Sequence, residues 1–389
     1  MAMAEINTDL TAGAEAQRPP ESVSVLESVS VNANDATMVA TQLSREPIPF
    51  NLIRKADLTT ASLEIVPVDQ VRCQNCFELK APVPVCPHCN YDSERQRRSG
   101  SHLTPGSRLH GRYQTGKVLG QGGFGATYLG WDDLLQVKVA VKEYFPTSLC
   151  SRVPGEGKLV PFTDEHAEGF EAGIGKFLEE ARILARLREI SEIVSVQDFF
   201  EENHTAYMVM DLLVGETFKK FITDHGGKLP FRLALSTLAP MMRAMQAVHE
   251  LGLIHRDLSP NNIFVTNLGE TKLIDFGAAR QAAKVAPQAF TVMLKIGYSP
   301  PEQYLQHSRQ GPWSDVYAMA ATMYCGLTGR PPVDAITRMQ NDSLKPPSEM
   351  GVPVPAAFDQ VLMAALDVDW QRRPQSMKSL LSLLEQAAG

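Results

Sequence analysis

The sequence predicts an α+β chain with a β-rich N-terminal lobe and a helical C-terminal lobe, preceded by a small cysteine-held module and an unstructured tail. Three observations carry this expectation. From Gly111 to about residue 213, short apolar runs alternate with polar positions, the two-residue period of strands. After residue 213 the spacing turns helical, as in 231–250, where Leu233, Leu235, Leu238, Met241, Met242, Met245 and Val248 form a Met-rich apolar face. Ahead of both, four of the six cysteines cluster within 73–89, behind a stretch with neither period.

With 389 residues the chain has room for one large two-lobed domain, or two ordinary ones, plus tails. A formal charge of −7 and a sequence pI near 5.8 exclude a general nucleic-acid binder, which needs a basic face to displace counterions. No apolar run reaches the roughly 18 residues of a membrane span, and the N-terminus lacks a basic segment followed by an apolar one. The expectation is a soluble cytoplasmic protein with no direct membrane insertion. Cys150 and Cys325, isolated in apolar surroundings, read as buried thiols in a reducing compartment.

Residues 1–70 are rich in Ala, Ser, Thr, Val and acids and read as a disordered acidic tail. Residues 71–92 hold Cys73-x-x-Cys76, nine residues, then Cys86-x-x-Cys89. Two such knuckles offer four thiolates to a tetrahedral zinc ion, and the loop between them is long enough to return as a small hairpin. This resembles a zinc ribbon. The competing readings are a redox pair or two disulfides, but Pro82, Pro84 and Pro87 deny the helix that a redox Cys-x-x-Cys opens. A module this small needs a metal or disulfides to fold, so the zinc is read as structural and His88 as a spectator. Residues 93–106, with Arg95, Arg97 and Arg98, read as a charged Ser- and Gly-rich linker.

The strands then carry polar positions in a telling order. Gly120-x-Gly122-x-x-Gly125 is followed by a second strand, so the glycines cap a hairpin able to lie over phosphates. Val139-Ala140-Val141-Lys142 is a strand ending in a lysine, and residues 147–165 form an insert with a turn at Pro154–Gly157. Residues 166–188 are helical, with Phe170, Ile174, Phe177, Leu178, Ala181 and Leu184 on one face and Glu179 and Glu180 beside them. A buried strand, 206–213, runs into a connection. His255-Arg256-Asp257-Leu258-Ser259-Pro260-Asn261-Asn262 and Leu273-Ile274-Asp275-Phe276-Gly277 flank two strands joined by a turn, and helical faces recur at 316–327 and 377–386.

In this order the motifs resemble protein kinases over about 107–386, with an N-lobe at 107–210 and a C-lobe at 214–386. Glu143-Tyr144-Phe145-Pro146 resembles a branch of bacterial serine/threonine kinases. The resemblance implies ATP and Mg²⁺ (or Mn²⁺) as cofactors and protein substrates. Gly120, Gly122, Gly125, Thr127, Ala140, Lys142, Met210, Asp211 and Leu213 would surround the nucleotide, Thr127 standing where kinases usually have Val. It implies that Lys142 pairs with Glu180, that Asp257 accepts the substrate hydroxyl proton, and that Asn262 and Asp275 hold the metal. Glu302 and Arg373 match an anchoring ion pair, and Asp315 matches a brace for the catalytic loop. Arg256 implies an ordered, phosphorylatable activation segment, in which Thr291 is the candidate phosphosite and autophosphorylation is expected.

One position departs from the family pattern. Kinases acting on Ser and Thr carry Lys two residues after the catalytic Asp, and here that residue is Ser259. The segment position that normally holds a Thr touching that lysine holds Lys295. The expectation is a swap, with Lys295 supplying the cation and Ser259 the hydroxyl partner. The alternative is a weakened enzyme, and with it an ATP-binding pseudokinase scaffold using the zinc ribbon and tail to dock a partner.

Overall fold

The computed structural model describes residues 70–94, 101–123, 125–276, 280–281, 294–305 and 308–389, all within one unit of the chain, Leu63–Gly389. The tail expected over 1–70, save Gln70, and the candidate phosphosite Thr291 lie outside the described residues. Among the described residues no helix is long and apolar enough to cross a membrane.

Two short strands, β1 (Val71–Arg72) and β2 (Leu79–Lys80), pair around the first Cys-x-x-Cys, and a bridge from Val85 to Asp92 closes around the second. The strands thus flank each knuckle, whereas the sequence suggests one hairpin made by the loop between them. Pro82 and Pro84 lack an N–H and cannot sustain a ladder inside that loop.

Next come β3 (Arg108–Leu109), β4 (Tyr113–Gly122), β5 (Gly125–Asp132) and β6 (Val137–Tyr144). The insert forms a hairpin, β7 (Cys150–Arg152) and β8 (Leu159–Pro161), around the expected turn. Helix α1 (Asp164–Arg186) leads to β9 (Val196–Glu202) and β10 (Thr205–Asp211). A six-stranded antiparallel sheet results, in the order β3-β4-β5-β6-β10-β9. Alternation sends Tyr113, Tyr128, Val139, Val141, Tyr207 and Val209 to one face, and Ala140, Met208 and Met210 to the other, where α1 packs. Leu103 closes the first face, its N–H donating to Tyr128 Oη at 3.3 Å. Residues 101–106, expected in the linker, therefore belong to the cover of the sheet, because Leu103 is an apolar side chain with an apolar face to fill.

The start of α1 is capped by Thr163, whose Oγ1 accepts the His166 N–H, with Asp164 and Glu165 at the positive helix end. Gly173 lets the helix approach β6, since a Cβ there would stand 1.8 Å from Tyr144 Oη. Beyond Asp211 follow β11 (Gly215–Thr217), α2 (Phe218–Asp224), α3 (Phe231–Glu250), β12 (Leu253–Ile254), β13 (Ile263–Thr266), β14 (Thr271–Leu273) and β15 (Arg280–Gln281). The chain continues through α4 (Pro301–Tyr304), α5 (Pro312–Thr328), α6 (Ala335–Gln340), α7 (Ala356–Ala365) and α8 (Met377–Ala388). Met241, Met242 and Met245 of α3 are fully buried where it packs on α5 and α8, each contributing about 1.5–3 kcal/mol by area. Helix α5 is buried nearly all round, which fixes the height of its first turn beneath the loop 255–262.

Candidate active site

The cleft is built from the glycine hairpin above, α1 behind and the loop 255–262 below. Gly122 and Gly125 face each other across the β4–β5 turn. At Gly125 a Cβ would fall 2.2 Å from the Glu143 carbonyl oxygen, so only glycine fits. At Gly120 and Gly122 the same construction meets nothing within 4 Å, which leaves the backbone beside them open to a phosphate-sized group.

Lys142 sits on β6 opposite Thr127 of β5. Its Nζ lies 3.1 Å from Glu180 Oε1 and 3.3 Å from Asp275 Oδ1. Glu180 is buried on α1, while its neighbour Glu179 is exposed. Glu180 Oε1 also accepts the Phe276 N–H at 3.2 Å, so one carboxylate joins α1, β6 and the segment after β14. Burial opposes the Lys142 charge, yet Asp275 and Glu180 outweigh it and raise its pKa. Burial also pushes the Glu180 carboxyl up to about 7, against the pull of Lys142.

The loop 255–262 hangs from Asp315, in the first turn of α5. Its Oδ2 accepts the His255 N–H and its Oδ1 the Arg256 N–H, both at 2.8 Å, and His249 Nε2 lies 2.8 Å from Oδ2. Despite its burial, the His249 bond holds the Asp315 carboxyl below the usual range. Arg256 has φ 69, and the two clamped N–H groups hold that left-handed backbone in place. His255 is fully buried, with Nε2 2.6 Å from the Asp275 carbonyl oxygen and its ring edge-on to Phe276.

Asp257 is held from both sides. Asn262 Nδ2 donates to its Oδ2 and to its carbonyl oxygen, each at 2.8 Å, and Lys295 Nζ lies 2.8 Å from its Oδ1. The same Nζ donates to Ser259 Oγ at 3.1 Å. Lys295 is fixed through its backbone, where Ser299 Oγ accepts its N–H and its carbonyl accepts from Tyr298 and Ser299. Donation from Nδ2 turns Asn262 Oδ1 away from Asp257. Asn262 Oδ1 and the Asp275 carboxylate are hard oxygen donors, the type that suits Mg²⁺.

Met210 lies buried at the end of β10, and Asp211, Leu212 and Leu213 form the connection to the C-lobe. Below, Arg373 makes a two-pronged bond to Glu302 at 2.7 and 3.1 Å, and Ser314 Oγ adds a third partner at 2.8 Å. In the cysteine module the four Sγ atoms lie within 4.8 Å of one another, with Cys73–Cys89 at 3.7 Å and Cys76–Cys86 at 3.8 Å. Sulfurs on a tetrahedron with 2.3 Å bonds to zinc lie about 3.8 Å apart, so the donor set fits that ion.

Sequence reasoning passed over several supporting groups. Gln303 Nε2 donates to the Arg256 carbonyl oxygen, the Phe276 N–H binds Glu180, and Asn75, Phe77 and Gly116 join the cysteine module to the sheet. These contacts run between segments far apart in sequence, and the His249 contact to Asp315 likewise spans 66 residues with no spacing to announce it.

The protein kinase domain family matches residues 113–386. The serine/threonine-protein kinase PknA of Mycobacterium tuberculosis is 33% identical over 271 residues, covering 67% of this chain and 58% of PknA. PrkC of Bacillus subtilis is 31% identical over 233 residues, 59% of this chain and 32% of PrkC. The match thus spans less than two thirds of the length of PknA and about a third of PrkC. A solved structure titled PpkA-294 apo form superposes with a TM-score of 0.66 at 32% identity, covering 74% of this chain and all of that one. With the family match running through most of the chain and the cleft assembled from its motifs, the chain belongs to the protein kinase family.

Proposed function

We propose that the protein transfers the γ-phosphate of ATP to Ser or Thr hydroxyls of proteins. The observation that carries this reading is one cleft in which Asp257 stands between Asn262 and Lys295 while Lys142 bridges Glu180 and Asp275. Asn262 and Asp275 would hold Mg²⁺, which when bound would neutralise the polyphosphate charge.

The substrate hydroxyl attacks the γ-phosphorus as its proton passes to the Asp257 carboxylate. The new O–P bond forms while the bond to the bridging oxygen breaks and ADP leaves. Lys142 orients the α- and β-phosphates, itself oriented by Glu180. Lys295 is proposed as the cation for the transferring group, with Ser259 as its hydroxyl partner. Their 3.1 Å contact, beside the 2.8 Å contact to Asp257, supports this exchange of positions. A developing phosphoryl charge lacking such a cation is costly, a loss of the order of 10²–10³ in rate for one stabilising group. This weighs against the pseudokinase reading that Ser259 alone suggests.

The Cys73, Cys76, Cys86 and Cys89 set is proposed to hold a structural zinc, and with the two buried thiols outside it, Cys150 and Cys325, it fits a reducing, cytoplasmic setting. Thr291 is proposed as an autophosphorylation site. Incubating the protein with Mg²⁺, ATP and a mixed-sequence peptide library tests the central reading. Phosphoserine and phosphothreonine are expected; phosphotyrosine alone, or no transfer under activating conditions, contradicts it.

A further inference from the structure

The cysteine module is joined to the nucleotide-binding lobe at the strand that leads into the glycine turn. Pairing of β4 with β5 breaks between Thr115 and Val118, and at that break the Lys117 N–H donates to the Asn75 carbonyl oxygen at 2.9 Å. Asn75 is held by the metal-ligand sulfurs, its N–H 3.4 Å from Cys73 Sγ and its Nδ2 3.5 Å from Cys89 Sγ. Gly116 permits this approach, because a Cβ there would stand 2.6 Å from Asn75 O and 2.8 Å from Phe77 Cε2.

Phe77 is the second link. It follows Cys76 directly, has φ 59, and is 1% exposed against Leu129 and Trp131 of β5, with Leu212 of the interlobe connection packed beside it. Arg72 stacks 3.8 Å over the Trp131 ring and donates to the Phe77 carbonyl oxygen, and Glu78 pairs with Lys138 of β6. The module therefore touches the strand before the glycine turn, the strand after it, and the connection to which adenine is expected to bind.

We propose that the four-cysteine module is a metal-dependent positioning part of the nucleotide site, so that metal occupancy sets nucleotide affinity. This rests on the reading of the four cysteines as a zinc site and of the cleft as a nucleotide site. With zinc bound, the knuckle fixes Asn75 and Phe77, which hold the β4 break, β5 and Leu212 in the arrangement the nucleotide meets. Without zinc the knuckle has no core of its own to hold it, and both contacts lapse. Because coupling between two binding events is reciprocal, nucleotide tightens zinc by the factor by which zinc tightens nucleotide.

The test uses the full chain, with zinc content measured first, then the affinity for a nonhydrolysable ATP analogue with Mg²⁺, before and after zinc extraction by a chelator. Extraction is expected to weaken the analogue about tenfold or more, and saturating analogue to raise the zinc affinity by the same factor. Phe77→Ala and Gly116→Ala are expected to keep one zinc per chain and lose analogue affinity to a similar degree, with an unfolding transition confirming that the C-lobe remains folded. If a variant fails to fold, the two affinities of the parent protein still decide. Zinc bound, analogue bound, and each affinity within about twofold with and without the other overturns the coupling alone. No zinc in protein made in zinc-replete medium overturns the metal reading beneath it, and no binding of the analogue at all overturns the nucleotide reading.

Discussion

Two ion pairs in this molecule share their chemistry and differ in everything around it. Arg373 and Glu302 are both almost wholly buried, and the guanidinium also reaches the carbonyl oxygens of Asp367, Val368 and Trp313 while Ser314 completes the carboxylate. Lys142 is one-fifth exposed and divides a single ammonium between Glu180 on α1 and Asp275 after β14. A buried pair with every donor and acceptor satisfied has one arrangement, and its half-removal leaves a charge stranded. A lysine divided between carboxylates on two elements is less tightly determined, and its contacts to both are what join α1, β6 and the segment after β14 in the cleft. Burial and hydrogen bonding, more than the charges themselves, separate an anchor from a switch.

Breaking the anchor gives the largest expected effect on folding. Arg373→Ala should lose about 3–5 kcal/mol of stability, read from urea unfolding, because Glu302 remains buried without its partner. Lys142→Met should lower kcat/KM by about 10²–10³ while shifting the urea midpoint much less than Arg373→Ala does, since Asp275 is more than a third exposed and Glu180, its carboxyl already raised to about 7 by burial, can take up a proton instead of staying charged. A large stability loss in Lys142→Met, or none in Arg373→Ala, would erase the distinction. Lys295→Ala should lower kcat about a hundredfold with KM for ATP little changed, and an unchanged kcat would end the exchange of positions with Ser259. Ser259→Ala, which removes only the hydroxyl that holds Lys295, should cost a few-fold.

The smallest effect concerns pH. Burial raises the Glu180 carboxyl to about 7, so below that pH the folded protein takes up a proton there and Lys142 loses a charged partner to Asp275 alone. The folded state then binds a proton that the unfolded chain, with an ordinary glutamate, releases above roughly pH 4.3, so this group's contribution to stability falls as pH rises through that window. Activity runs the opposite way. Between about pH 8 and about pH 6, kcat/KM for ATP should drop several-fold, and the decline should be missing in Glu180→Gln, whose rate is low throughout.

The fold was legible in sequence because its periods are long and clean. The switch from alternation to helical spacing near residue 213, the helix on Phe170–Leu184 and the hairpin at Pro154–Gly157 each follow from local pattern. The order of the cleft residues was legible too, and two departures at Ser259 and Lys295 pointed to a spatial pair that the structure brings to 3.1 Å. The attachment of the cysteine module was not. One aromatic after a cysteine and one glycine within a strand carry no period, and the break in β4 pairing shows only once Asn75 is seen filling it. The same holds for Leu103, a single leucine in a polar stretch whose partner face is made by residues on six strands. Contacts encoded by shape between distant segments leave no local spacing to read.

The most direct measurement is the intact mass of purified protein after incubation with Mg²⁺ and ATP, beside an Asp257→Asn control, followed by mapping of phosphosites. The account predicts whole-phosphate gains on Ser or Thr in the parent, Thr291 among them, and none in the control. Gains of equal size in both proteins, or none in a parent that binds ATP and is offered substrate peptides, would contradict the assignment of phosphoryl transfer to this cleft.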